Sequence, residues 1–158
     1  MQERMNYSAV APDAYKSMLA MQKYLASSAI DNTLHELIKI RVAQVNGCAY
    51  CVHVHTRDAR KFGEEEDRIY ALSVWRESPL FNESERAALE LAETVTLISQ
   101  HGVPQETWDL ARKYFDEQQL ADILLAIITI NVFTRLAIAT GMVPGQSKPV
   151  INKPAVRR

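Results

Sequence analysis

Cys48 and Cys51 are the only cysteines of the chain, with two residues between them, and His55 follows four residues after the second. They lie in the run Asn46-Gly47-Cys48-Ala49-Tyr50-Cys51-Val52-His53-Val54-His55. A thiolate is the nucleophile toward peroxides and disulfides, and the sulfenic acid it forms condenses with a nearby thiol. A C-x-x-C pair therefore supplies an attacking and a resolving sulfur. A structural disulfide there would close too short a loop to stabilise much. In a reducing compartment the spacing points to redox chemistry or metal binding instead.

Gly47 reads as the close of a helix over 33–46, and a second helix, 49–62, begins at once. Both cysteines then fall on its first turn, where free N–H groups and the positive dipole end favour a thiolate. At about 100° per residue, His55 lies about 40° from Cys51, one turn on. His53 falls on the opposite side with Arg57 and Arg60, on a solvated basic face. On helix 33–46, Glu36 shares a partly apolar strip with Ile40 and Ala43 that leads toward the cysteine turn. That makes it a candidate base or orienter for His55. Two observations compete. In an ideal antiparallel hairpin, with about 1.5 Å rise per residue, Glu36 lies level with Ala59, a turn beyond His55. Thr33-x-x-Glu36 is also a capping-box pattern that would occupy the carboxylate locally.

The elements around this pair are helical. The spacing predicts helices over 12–29, 33–46, 49–62, 64–75, 83–100, 104–114 and 117–140. Asn82 with Glu85, and Asp116 with Gln119, form capping patterns. Strand-like alternation is scarce. The expectation is one all-α domain over 1–158, a single compact bundle of about seven helices. Residues 141–158, with three prolines and no acids, read as an extended C-terminal tail. Helix 117–140 is apolar nearly all round, which implies a central position and burial shared between subunits. His35 and His101 read as surface or capping residues, Glu64-Glu65-Glu66 as a solvated helix start, and Trp75, Phe81 and Trp108 as packing.

Composition narrows the function classes. The chain has 158 residues, 47% of them apolar, and 18 basic against 19 acidic side chains for a net charge of −1. That is enough apolar content for one core. The even balance gives no electrostatic case for nucleic acid or an anionic membrane. Asp122, Asn131 and Arg135 break the most apolar stretch, so no membrane span is expected. The first residues lack the apolar run of a signal peptide, so a cytoplasmic location is expected. No Gly-rich phosphate loop is present, and no flavin, nicotinamide or metal cofactor is expected.

The pattern Glu36, eleven residues, Cys48-x-x-Cys51, three residues, His55 resembles the signature of the alkylhydroperoxidase D-like (AhpD-like) proteins of the carboxymuconolactone decarboxylase family. Asn46-Gly47, Tyr50, Ala59-Arg60 and Gly63 add to the resemblance. It implies an all-helical fold and a thiol-dependent peroxidase or disulfide oxidoreductase with an antioxidant role. It implies that Cys51 is the peroxidatic residue, that Cys48 resolves it to a Cys48–Cys51 disulfide, and that Glu36 and His55 form a proton relay. It further implies hydroperoxide substrates, a dithiol or thioredoxin-like electron donor, and a homo-oligomer (dimer, trimer or hexamer). Tyr50 departs from the best-known members, which carry a histidine just before the second cysteine. A phenol is a poor base at neutral pH, so the relay here runs from His55 directly or through water. The rival expectation is a zinc-binding or redox-sensing interaction module, with Cys48, Cys51, His55 and Glu36 or His53 as ligands.

Overall fold

The computed structural model describes residues 2–145. Among them the elements run α1 (Tyr7–Val10), α2 (Pro12–Leu25), α3 (Asn32–Val45), α4 (Ala49–Lys61), α5 (Glu66–Ala71), a 3-10 turn (Leu72–Val74), α6 (Glu83–Thr96), α7 (Ile98–His101), α8 (Gln105–Tyr114) and α9 (Glu117–Thr140). The described residues form no strand, so the all-α expectation holds with nine helices in place of about seven. The expected tail lies mostly outside the described residues.

α3 and α9 organise the core. Ile38 and Val42 of α3, Ala88, Leu91 and Ala92 of α6, and Ile123, Ile127 and Ile130 of α9 are all buried in one cluster. Leu37, Ile40, Leu72, Trp75, Phe81 and Leu89 form a second cluster under α5 and the 3-10 turn. By length and composition α9 passes for a membrane span. Here its buried side packs on α2, α3, α4, α6 and α8, as a core helix does.

Local chemistry explains most of the boundaries. α6 opens on a full capping box: Glu85 N–H donates to Asn82 Oδ1 and Asn82 N–H to Glu85 Oε2, each at 2.9 Å. α9 opens on another, between Asp116 and Gln119, and ends at Gly141 in the left-handed conformation. Three expected helices come out shorter for tertiary reasons. The helix expected over 12–29 ends at Leu25, because Ala29 N–H leaves the helical ladder to donate to Asp122 of α9 at 2.8 Å. The helix expected over 83–100 breaks at Leu97, where φ −98° and ψ 25° leave the helical region. Just before it, the Thr96 hydroxyl accepts from Asn131 of α9 at 3.0 Å. The helix expected over 64–75 begins at Glu66 and tightens into the 3-10 turn. Trp75 Nε1–H closes that turn by donating to Glu93 at 2.6 Å, the carboxylate that also binds Arg41 at 2.6 Å.

Glu64 corrects the expectation of a solvated acidic start. It is buried and accepts from Arg68 Nε at 2.7 Å. Trp75 and Phe81 are packing residues as expected.

Candidate active site

α3 and α4 form the hairpin that carries the site. Asn46 ends α3, and Gly47 turns the chain with φ +68°, a conformation that glycine adopts without strain. The turn is tied to α9, since Asn46 Nδ2 donates to Asn131 Oδ1 and to Thr134 Oγ1, each at 3.0 Å. Cys48 then becomes the N-cap of α4, its sulfur accepting from Cys51 N–H at 3.3 Å. Both cysteines are free, buried thiols, with the two sulfurs 2.7 Å apart.

Cys51 and His55, one turn apart on α4, line a partly open cavity of about 340 Å³. His55 Nδ1–H donates to Glu36 Oε2 at 2.8 Å, and both side chains are largely buried. The gap of one turn expected for an ideal hairpin is therefore closed. Glu36 is free to reach because Asp31, not Thr33, caps α3: its Oδ1 accepts from Leu34 N–H at 2.9 Å. The capping-box alternative is overturned. Glu36 lies two residues beyond Leu34, the position a capping box on Asp31 would use.

The other oxygen of Glu36 meets Lys39, whose Nζ lies 2.7 Å away. Sequence reasoning missed Lys39, although the i, i+3 spacing of the two charges was a signal. Burial pushes the Glu36 carboxyl up, but the hydrogen bond from His55 and the charges of His55 and Lys39 outweigh it and hold the group below its ordinary range.

The sulfur pair divides its roles. Donation from Cys51, aided by the N–H groups of Cys51 and Tyr50, brings Cys48 down to about 7 against the opposing push of burial. Cys51, as the donor, is pushed up, and its burial adds to this. The first negative charge on the pair thus rests on Cys48 at the helix N-terminus. Cys51 keeps the proton and faces the cavity with His55. The opposite cavity wall is aromatic, with Tyr15 of α2 edge-on to Phe133 of α9 at 6.2 Å between ring centroids. Tyr50 lines it too.

His53 is exposed, as its face predicts. Among the described residues no group of three or more His, Cys, Asp or Glu side chains is gathered to hold a metal ion. The ligand set of the zinc rival is not assembled.

His35 overturns the surface expectation. It is buried on α3, and its Nε2 has no hydrogen-bond partner. Burial first, then the charge of Lys39, lowers it to about 4, against the pull of Glu36 and Asp122. The unfolded chain then binds a proton that the folded chain refuses. Stability contributed by this group is complete above the ordinary value of 6.5 and falls as pH drops toward 4. The full loss is about 3 kcal/mol. Urea unfolding at pH 7 and pH 4.5 checks it. His35→Leu is expected to lose about 1–3 kcal/mol less stability over that interval than the wild type.

The chain belongs to the carboxymuconolactone decarboxylase family, whose profile matches residues 12–94, and its fold is of the AhpD-like type. YdfG of Bacillus subtilis, itself uncharacterized, is 48% identical over 141 residues, covering 89% of this chain and 96% of YdfG. A protein of unknown function from Agrobacterium tumefaciens, linked by name to antioxidant defence and AhpD, is 35% identical with a TM-score of 0.89. That match covers 92% of this chain and all of the solved one. The debrominase Bmp8 shares the fold at 22% identity and a TM-score of 0.79, over 87% of this chain and 74% of its own.

Proposed function

We propose that the protein is a thiol-dependent peroxidase that reduces organic hydroperoxides through Cys51 and Cys48. The observation that carries the proposal is the cavity that brings Cys51, with Cys48 2.7 Å behind it, to the same wall as the Glu36–His55 pair. The antioxidant name of the Agrobacterium relative supports the same direction. Likeness to the debrominase is likeness of fold.

From the form in which Cys48 still carries its proton, the proton of Cys51 passes to His55 directly or through water, with Glu36 holding the imidazole through Nδ1. The Cys51 thiolate attacks the distal peroxide oxygen, the O–O bond breaks, and the leaving alkoxide takes the proton from His55 as an alcohol. Cys51 is now a sulfenic acid. The Cys48 thiolate attacks its sulfur, a disulfide forms, and water leaves once the hydroxide is protonated. A dithiol or thioredoxin-like donor then returns two electrons and two protons. Cys48, the N-cap of α4, ionises readily for the second attack once Cys51 is oxidised, and the proton it gives up completes the leaving water. The donor requirement fits a reducing compartment such as the cytoplasm. Ile128 and Ile138 leave large apolar side chains exposed on α9, which favours a homo-oligomer.

Purified protein is expected to consume cumene hydroperoxide with dithiothreitol as electron donor, at one donor oxidised per peroxide. Metal analysis of the same sample separates the rival. Stoichiometric zinc without peroxide turnover would replace the enzyme with a metal-stabilised module.

A further inference from the structure

We propose that Lys39 is a positioning residue for the thiol chemistry, acting through Glu36 to orient His55 and to place a cation beside Cys51. The inference rests on the thiol reading above and adds a residue that the signature Glu–Cys–Cys–His pattern does not contain.

The geometry is specific. Glu36 has two oxygens, and each has one partner: His55 Nδ1 at 2.8 Å and Lys39 Nζ at 2.7 Å. A carboxylate fixed at both oxygens cannot rotate, so the imidazole it holds cannot rotate either. An i, i+3 ion pair on a helix is usually a solvated surface pair worth a few tenths of a kcal/mol. This pair differs in burial. The side chains of Lys39 and Glu36 are 12% and 6% exposed, and both line the cavity that holds Cys51. A lysine this enclosed is costly unless paired. Its charge acts in a medium that screens poorly, and it bears directly on Glu36, which it helps to hold ionised.

The other titratable groups facing this cavity are Tyr15 from α2 and Tyr50, Cys51, His55 and Asp58 from α4. α9 contributes Phe133 and Leu136, and Met142 follows it. Lys39 is therefore the permanent cation among the lining residues and pairs with Glu36, while Asp58 is paired outside the cavity lining with Lys61 at 2.7 Å and Arg57 at 3.4 Å. Removing Lys39 leaves Glu36 with His55 as its partner and takes that lining cation away from Cys51. Ionisation of the Cys51 thiol then moves to higher pH, because it creates a negative charge that has lost a neighbouring cation.

The test follows iodoacetamide alkylation of Cys51 between pH 5 and 10 in a reduced Cys48→Ser background, where Cys51 no longer sits beside a thiolate, with the labelled site confirmed by mass spectrometry. In Lys39→Met the midpoint of Cys51 alkylation is expected to rise by about half to one unit. That slows alkylation about 3- to 10-fold at a fixed pH on the rising limb. Lys39→Arg keeps the charge and is expected to restore the midpoint of that background. An unmoved midpoint in Lys39→Met overturns the proposal, as does an equal shift in Lys39→Arg. Slower alkylation at every pH with the same midpoint marks a packing role and overturns it as well. Circular dichroism checks the helix content, and Lys39→Gln replaces the methionine variant if that one fails to fold. Alkylation needs no peroxide. A Cys48→Ser protein that alkylates as expected, together with a wild type that turns over no hydroperoxide, defeats the peroxidase reading and leaves the role of Lys39 standing.

Discussion

Cys51→Ser is expected to lose hydroperoxide turnover down to the buffer background, while Cys48→Ser is oxidised once and then stalls. A serine hydroxyl is a far weaker nucleophile at neutral pH and cannot form a sulfenic acid, so the loss in the first variant is complete. In the second, Cys51 still faces the cavity and His55, so the O–O bond is broken once per chain. The product lacks its resolver and accumulates as Cys51 sulfenic acid, which dimedone traps and mass spectrometry locates. The two variants also test how the pair divides its work. Cys48 is the sulfur drawn down to about 7, and a nucleophile chosen by thiolate character alone would be Cys48. The cavity argues otherwise, because Cys51 is the cysteine among its lining residues. Dimedone labelling of Cys48 in Cys51→Ser, with an inert Cys48→Ser, would reverse the assignment.

The same sulfur pair shows what the sequence makes legible. The C-x-x-C at the start of a helix, and the register of His55 with Cys51, are local facts of spacing, and α4 realises them with Cys48 as its N-cap. The capping boxes of α6 and α9 are equally local, and both are present. Long-range partners are not legible in this way. Ala29 leaves its helix for Asp122, 93 positions later. Thr96 ends α6 beside Asn131. Glu36 is the instructive case. Its strip on α3 pointed toward the cysteine turn, but its level and its capping pattern both argued against contact with His55. The crossing of α3 and α4 and the prior claim of Asp31 on the cap decide the matter. His35 lies beside polar residues on a helical wheel and so looks solvated, but the packed neighbours bury it. The i, i+3 spacing of Glu36 and Lys39 signals an ion pair, but its burial depends on the packed neighbours and is not in the spacing.

His55→Ala is expected to cut the rate of peroxide reduction by about 10²–10⁴-fold, and Glu36→Gln by less. The imidazole handles the proton twice, taking it from Cys51 and giving it to the leaving oxygen, so both the thiolate and the alcohol depend on it. Glu36 touches neither sulfur nor peroxide. Its carboxylate holds Nδ1–H, and a glutamine oxygen can still accept that bond while its charge is gone. A loss of about 10–100-fold is the expectation for the amide, against the larger figure for the missing base. Glu36→Gln also strands Lys39, which is 12% exposed, and stability is expected to fall by about 1–3 kcal/mol, below the cost for a fully buried pair. The pH sign follows from the carboxyl being held below its ordinary range. Its contribution to stability is present above the unfolded value and is lost as pH falls through the folded one. The difference between wild type and Glu36→Gln in urea unfolding should therefore shrink in acid. Added imidazole separates chemistry from structure, because a small base that enters the cavity replaces the lost acceptor without repairing packing. Partial rescue of His55→Ala by imidazole, and none of Cys51→Ser, is the expected pattern. A His55→Ala protein within threefold of wild-type turnover would mean that the proton leaves Cys51 by another route, with Cys48 as its nearest acceptor at 2.7 Å.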